Sequence, residues 1–284
     1  MSKRTGIILI LASLLVIIGI VGSAATYKSS MALTTTEETI IENEEYSSIK
    51  IDSDNAEVEL LPTNDVTKVE FTGNPSDYLI SSEVKEGSLI VTVENINKKL
   101  FNFNFFTMNQ ALKIHVPEKE YQLIEINNNN GRISVNDFKA IDFSTKTNNG
   151  EIELTNINSS VLNVEADNGS IELDNISASE SVSTSTKNGE INLSDIEGEI
   201  FGRTNNGSVS LFTTDLDRSI EFETNNGEIV IETENEPTNT TFLIDVDNGE
   251  VDLLGDTSKN KVIGNGDHLI KLTTDNGSIT VKKK

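Results

Sequence analysis

An all-β fold, a single-stranded parallel β-solenoid of about eight rungs, is what this sequence predicts, and three observations carry that expectation. Eight Asn-Gly pairs recur at near-regular spacing between residues 130 and 277, apolar residues keep fixed positions around each of them, and the chain is polar and free of cysteine. With no disulfides, stability must come from packing and backbone hydrogen bonds.

The pairs are Asn130-Gly131, Asn149-Gly150, Asn168-Gly169, Asn188-Gly189, Asn206-Gly207, Asn226-Gly227, Asn248-Gly249 and Asn276-Gly277, with glycines 19, 19, 20, 18, 20, 22 and 28 residues apart. Two positions after each glycine stand Ile133, Ile152, Ile171, Ile191, Val209, Ile229, Val251 and Ile279. Four positions after it stand Val135, Leu154, Leu173, Leu193, Leu211, Ile231, Leu253 and Val281, which completes a period-2 strand with one buried face. Seven positions before it lies a third apolar column, from Ile124 and Phe143 to Phe242 and Ile270. Each repeat thus supplies two short strands separated by a turn that glycine enters without a Cβ clash. Small residues, mostly Thr, stand three before the glycine, as a tight interior corner requires. Stacked in register, the asparagines can hydrogen-bond from rung to rung as a ladder.

An antiparallel meander of Asn-Gly hairpins is the alternative, because the same dipeptide is a strong hairpin signal. The solenoid is favoured because a two-stranded unit cannot bury its apolar face alone, whereas stacked columns make a continuous core. Eight rungs at about 4.8 Å give a rod roughly 40 Å long. Residues 47–120 keep strand patterning without the strict repeat and read as an N-terminal β cap, leaving 121–284 as the repeats. Within the cap, Asn55-Ala56 resembles a degenerate corner, and Lys85-Glu86-Gly87-Ser88 reads as a hairpin turn. Lys282 to Lys284 are expected to blunt an exposed sheet edge.

Ahead of the cap, Gly6 to Ala25 reads GIILILASLLVIIGIVGSAA, long enough for one bilayer-spanning helix. We take residues 1–5 as a cytoplasmic N-terminus, 6–26 as the transmembrane anchor and 27–46 as a flexible linker. Lys3 and Arg4 precede the apolar run and Glu37, Glu38, Glu42, Glu44 and Glu45 follow it, so the positive-inside rule predicts a single-pass protein with an extracytoplasmic C-terminal domain. Small residues at Ser23, Ala24 and Ala25 also suit signal-peptide cleavage and secretion. Either reading exports the domain.

Lys3, Arg4 and Lys28 are the only charged residues among the first 30; removing their three positive charges from the net −24 leaves about −27 on residues 31–284. Such a field repels polyphosphates, which excludes nucleic acid as a partner class. Trp is absent and aromatics make up 5%, so stacking platforms for sugars or bases are scarce.

The run KEGSLIVTV, then ALKIHVPEKEYQLIEI, then TNNGEIEL, DNGSIEL and KNGEINL resembles the bacterial β-strand-repeat family labelled putative adhesin, also known as the toastrack domain, over about residues 47–284. The resemblance implies an envelope-associated protein, often behind a transmembrane segment and in some members linked to envelope stress systems. It implies no catalytic residues.

Several features invite a site. The FNFNF stretch with Phe101, Phe103, Phe105 and Phe106 beside Leu100 reads as a partner patch or as cap core. Glu151, Asp167, Glu190, Glu228, Asp247, Glu250 and Asp275 flank the turns, where aligned carboxylates can bind divalent cations or simply solvate the surface. Carboxylates also invite a polysaccharide-active β-helix enzyme, but here they recur with the repeat instead of forming one constellation. His115 and His268 stand alone, with no spacing that suggests a metal site or a triad. Glu232 to Thr241 and Leu254 to His268 fall in the long intervals and are expected to leave the regular rungs, where repeat proteins carry binding loops. We therefore expect a noncatalytic envelope scaffold, adhesion or sensor protein without a cofactor, whose partner is a surface protein or glycan.

Overall fold

The computed structural model describes residues 35–42, 44–74, 76–96 and 110–284. The apolar segment Gly6 to Ala25, the first part of the linker and the phenylalanine cluster lie outside the described residues. Every named element among the described residues is a strand. Ahead of the repeats come β1 (Thr35–Ile41), β2 (Ser48–Ser53), β3 (Glu57–Thr63), β4 (Thr67–Gly73), β5 (Tyr78–Lys85), β6 (Ser88–Asn95) and β7 (Ala111–Pro117). The Asn-Gly region supplies β8 (Glu120–Asn130), β9 (Ile133–Asn149), β10 (Ile152–Asn168), β11 (Ile171–Asn188), β12 (Ile191–Asn206), β13 (Val209–Thr213) and β14 (Ile220–Asn226). It ends with β15 (Ile229–Thr233), β16 (Thr240–Asn248), β17 (Val251–Leu253), β18 (Asn260–Ile263), β19 (His268–Asn276) and β20 (Ile279–Lys283).

Equivalent positions of successive repeats pair in parallel: Ile152 with Ile133 and Ile171, Leu162 with Phe143 and Val182. That register makes a solenoid-like stack and excludes the hairpin meander, which would pair strands antiparallel across each Asn-Gly. Every apolar column turns inward, and Ile152, Ile171, Ile191 and Ile229 are fully buried. Each such side chain contributes about 1.5 to 3 kcal/mol before entropy is subtracted.

In the repeats from β9 to β12 the two strands are not separate elements. β9 runs unbroken from one corner to the next, bending at Asp137 (φ 64°), and β10, β11 and β12 bend at Asn156, Asn175 and Asp195 (φ 55°, 54° and 51°). Asn and Asp tolerate this left-handed backbone better than other residues with a Cβ. Asn156 Nδ2 donates to Asp137 Oδ1 at 2.8 Å and Asn175 Nδ2 to Asn156 Oδ1 at 2.6 Å, so this second corner has its own short ladder. Just past it, Phe138, Ile157, Ile176 and Ile196 add a further buried column.

At both ends the stacking order departs from chain order. The rung of β2 and β3, with Asn55-Ala56 at its corner, lies between β6/β7 and β8/β9. At the far end β19 and β20 insert between β14/β15 and β16/β17, so the Asn248 corner is outermost and the Asn276 corner sits one rung inside it. Charge favours this order: Lys271 pairs with Glu221 at 2.7 Å and Lys282 with Glu232 at 2.7 Å. Stacking β16 directly on β14 would place Asp245 against Glu223, a repulsive contact in a parallel register. β20 pairs with β15 through Lys283, whereas β17 covers only Ile279 to Val281, so Lys282 to Lys284 lie past the end of the covering strand, with Lys284 4.4 Å from the Phe212 ring centroid. Short antiparallel strands cover the true ends, β18 on β16 at one and β5 on β6 at the other. The β5–β6 turn has positive φ at Glu86 and Gly87, as a tight hairpin requires.

β1 falls within the stretch expected to be linker. It pairs antiparallel with β4 from Thr35↔Gly73 to Ile41↔Thr67 while leaving nearly all its side chains exposed. Its pairing is made by the backbone, so the alternation on which a sequence reading relies is missing.

The corners set the tightest steric limit. A Cβ built at Gly150 would fall 2.0 Å from the Gly131 carbonyl oxygen, whereas one at Gly255 meets nothing within 4 Å. Gly150→Ala should therefore cost roughly 4 kcal/mol or more, against about 1 kcal/mol for Gly255→Ala, where only the backbone preference is lost. Chemical denaturation of the two variants measures the difference; equal losses would refute the close-packed corner.

Candidate binding cleft

The Asn-Gly pairs form a continuous spine. Starting at Asn55, each asparagine Nδ2 donates to the Oδ1 of its neighbour, in the order Asn130, Asn149, Asn168, Asn188, Asn206, Asn226, Asn276 and Asn248. Gly131, Gly150, Gly169, Gly189, Gly207, Gly227, Gly277 and Gly249 stack in the same order, each against the preceding carbonyl, with Ala56 beneath Gly131. Interior threonines complete the corner: Thr204 Oγ1 donates to Gly189 O at 3.1 Å, Thr224 to Gly207 O at 2.9 Å and Thr274 to Gly227 O at 3.0 Å. With its side-chain amides and glycine carbonyls engaged along its length, this spine is a scaffold.

The turn-flanking carboxylates do not come together as a site. Glu151 lies 3.6 Å from Arg132 and Asp167 2.7 Å from Lys187, both in cross-rung ion pairs. Among the described residues no three His, Cys, Asp or Glu side chains are placed to hold a metal ion. His115 sits on β7 with Nε2 3.5 Å from Glu70 of β4.

The repeat breaks away from the spine, where connections lengthen after β13 and β15 and again before β19. The sequence placed the insertions at Glu232 to Thr241 and Leu254 to His268; the rung strands claim Glu232, Thr233, Thr240, Thr241 and His268, because the columns hold up to those points, and β18 lies within the second insertion. Residues 214–219 form a further excursion that the regular spacing of the glycines concealed. Its Leu216 is fully buried, filling the core, while Asp215, Asp217 and Arg218 flank it.

Those side chains tie the loops together. Arg218 donates to the Ile196 carbonyl and lies 3.3 Å from Asp215. Asp217 accepts from the Thr238 and Asn239 amides at 3.0 and 2.9 Å and from the hydroxyls of Thr238 and Thr240 at 2.6 and 3.0 Å. Asn239 in turn exchanges bonds with Asp267, donating to its carboxylate at 2.8 Å and accepting from its amide at 3.1 Å. The connected loops border a cleft of about 660 Å3 lined by Glu180, Glu197, Glu199, Asp215, Asp217, Arg218 and His268, with Gly198 and Ser219 between them. A second groove of about 600 Å3 runs over the outer face of the post-glycine strands, past Glu153, Glu172, Asp174 and Phe212. The cleft is the stronger candidate because its lining belongs to the breaks in the repeat. It offers carboxylate acceptors to ammonium or hydroxyl donors, while its guanidinium is already engaged.

Burial alone would push the Asp217 carboxyl up, but the donors from Thr238, Asn239 and Thr240 outweigh it and hold the group at about 2. A depressed carboxyl stabilises the fold above its unfolded value and loses that contribution as pH falls through the folded one. Asp217→Asn should therefore lower stability by about 1 to 3 kcal/mol at neutral pH. The gap should be constant above about pH 5 and close as the pH falls toward 2. Thermal melts of both proteins across that range test this; a gap independent of pH would show that the charge contributes nothing.

Parallel rungs, inward columns and an asparagine spine define an all-β, solenoid-like repeat protein. The chain belongs to the Toastrack DUF4097 family, whose model matches residues 46–282. A crystal structure of a putative adhesin from Bacteroides fragilis is similar in fold, with 13% identity and a TM-score of 0.52 over 88% of this chain and 97% of that one. A putative cell adhesion protein from Clostridium sporogenes matches at 15% identity and a TM-score of 0.31, over 88% of this chain and 100% of its own. A putative lipid binding protein from Parabacteroides distasonis matches at 19% and 0.33, over 88% and 96%. No curated protein matches the chain in sequence.

Proposed function

We propose that the chain is a noncatalytic surface protein of the cell envelope, held by one N-terminal transmembrane helix with its C-terminal domain outside the cytoplasm. In this reading eight Asn-Gly rungs make a rigid acidic rod, and the loops at its far end meet an envelope or surface protein or a glycan. The observation that carries it is the acidic cleft beside Asp215, Arg218 and His268, the place where an otherwise repeating surface becomes unique. Carboxylates around an open hollow suit donor-rich ligands, and a repeat that stacks like residues on like supports display better than a single catalytic constellation. Family membership and the fold shared with the Bacteroides fragilis protein support the same reading.

Photo-crosslinking in intact cells tests it, with the reactive side chain placed at Ser179 in the cleft or at Asn163 on a regular rung. The expected result is a discrete adduct from the cleft position alone, lost when Glu180 and Glu199 are both changed to Lys. Adducts of equal yield from the two positions would remove the cleft as the contact site. Cleavage of a cell-wall polysaccharide, abolished by substituting one cleft carboxylate, would replace the noncatalytic reading with an enzymatic one.

A further inference from the structure

Asn-Gly is the dipeptide most prone to spontaneous succinimide formation, because glycine hinders attack by its own amide nitrogen less than any other residue. The chain has nine such pairs, the eight of the stack and Asn265-Gly266 in the exposed turn before β19, and the eight would be a chemical liability without the stack. In seven of them the glycine amide donates to the asparagine carbonyl of the next rung: Gly131 to Asn149, Gly150 to Asn168, Gly169 to Asn188, Gly189 to Asn206, Gly207 to Asn226, Gly227 to Asn276 and Gly277 to Asn248, all at 2.9 to 3.0 Å. The attacking nitrogen is thereby engaged, and the backbone is fixed between two neighbours.

The outermost rung lacks this protection. No rung lies beyond Asn248-Gly249, and among the described residues the Gly249 amide has no hydrogen-bond acceptor. Nothing donates to Asn248 Oδ1, and the Asn248 bond to Asn276 is the longest of the asparagine ladder at 3.2 Å. Gly249 is exposed, whereas the glycines of the other seven pairs are half-buried. The covering strand β18 reaches only Thr240 to Leu243 of β16, with the Lys259 carbonyl and ammonium extending the cover to Ile244 and Val246. The corner itself stays open.

We propose that Asn248 is the deamidation site of the ladder in the folded protein, that the stack protects the other seven ladder pairs, and that Asn265-Gly266, whose glycine amide likewise has no acceptor among the described residues, reacts outside it. The Gly249 amide nitrogen, after losing its proton to a solvent base, attacks Asn248 Cγ. The new N–Cγ bond closes a five-membered succinimide, the Cγ–Nδ2 bond breaks, and ammonia leaves with a proton from water. Water then adds to either ring carbonyl and returns aspartate or isoaspartate, with no change of oxidation state. The product carries a new negative charge beside Asp247 and Glu250 at the exposed end of the stack.

The test is peptide mapping of the folded full chain during incubation at mildly alkaline pH, scoring isoaspartate and deamidation at each pair, with a parallel sample in denaturant. In the folded chain Asn248 should react roughly tenfold or more faster than any of the other seven ladder pairs, where local opening governs the rate, with Asn265 as the unprotected reference outside the ladder. In denaturant the eight ladder rates should converge. Uniform rates across the eight ladder pairs in the folded chain, or another ladder pair reacting before Asn248, would overturn the assignment, as would a preference for Asn248 over its ladder neighbours that persists unchanged after unfolding.

Discussion

Everything in this structure depends on one close approach: glycine against the carbonyl of the glycine below it. Along the regular rungs a Cβ at the corner would fall 1.7 to 2.0 Å from that oxygen, so no other residue fits without moving the backbone. Because the corners must superpose, the strands between them superpose as well. Ile lies on Ile, Leu on Leu and, from Thr186 and Thr204 onward, Thr on Thr, and the asparagine ladder follows from the same geometry. Ala56 takes the glycine's place at the degenerate corner, and a Cβ at Gly131 would still fall 2.5 Å from its oxygen.

A stack this uniform carries little information about which rung belongs next to which, since every corner offers the same columns. The outward charges supply it. Lys50 with Glu125, Lys113 with Glu59, Lys146 with Glu165 and Lys271 with Glu221 bridge neighbouring rungs, each a small term on an exposed surface. Their worth lies in the contrast with like charges in a wrong order. Inserting the terminal strands one rung inside leaves Ile279 to Val281 paired on both sides. The cost is a long excursion, and those excursions border the cleft.

Much of the core was legible in the sequence because period-2 columns tied to a constant dipeptide have one economical explanation, and the parallel pairing of Ile152 with Ile171 matches it. The stacking order was not legible. Lys271 and Lys282 are its markers, but a charge announces its partner only once two segments are adjacent. The bend at Asp137, Asn156, Asn175 and Asp195 left a trace, an Asn or Asp six positions after the glycine, that is weak beside the Asn-Gly signal. The cleft left none, for it joins residues 179–180, 197–199, 215–219 and 268 from separate rungs.

Disulfide trapping tests the inserted, in-register order most directly, in a chain with no cysteine of its own to interfere. Glu223 and Thr273 are Cα partners on adjacent strands, about 4.8 Å apart, within the range a disulfide spans. Asp245 lies one strand further out, at roughly twice that separation from Glu223. Under mild oxidation the pair Glu223→Cys with Thr273→Cys should crosslink in the folded chain, and Glu223→Cys with Asp245→Cys should stay reduced. The opposite result would mean that the rungs stack in chain order and would contradict this account.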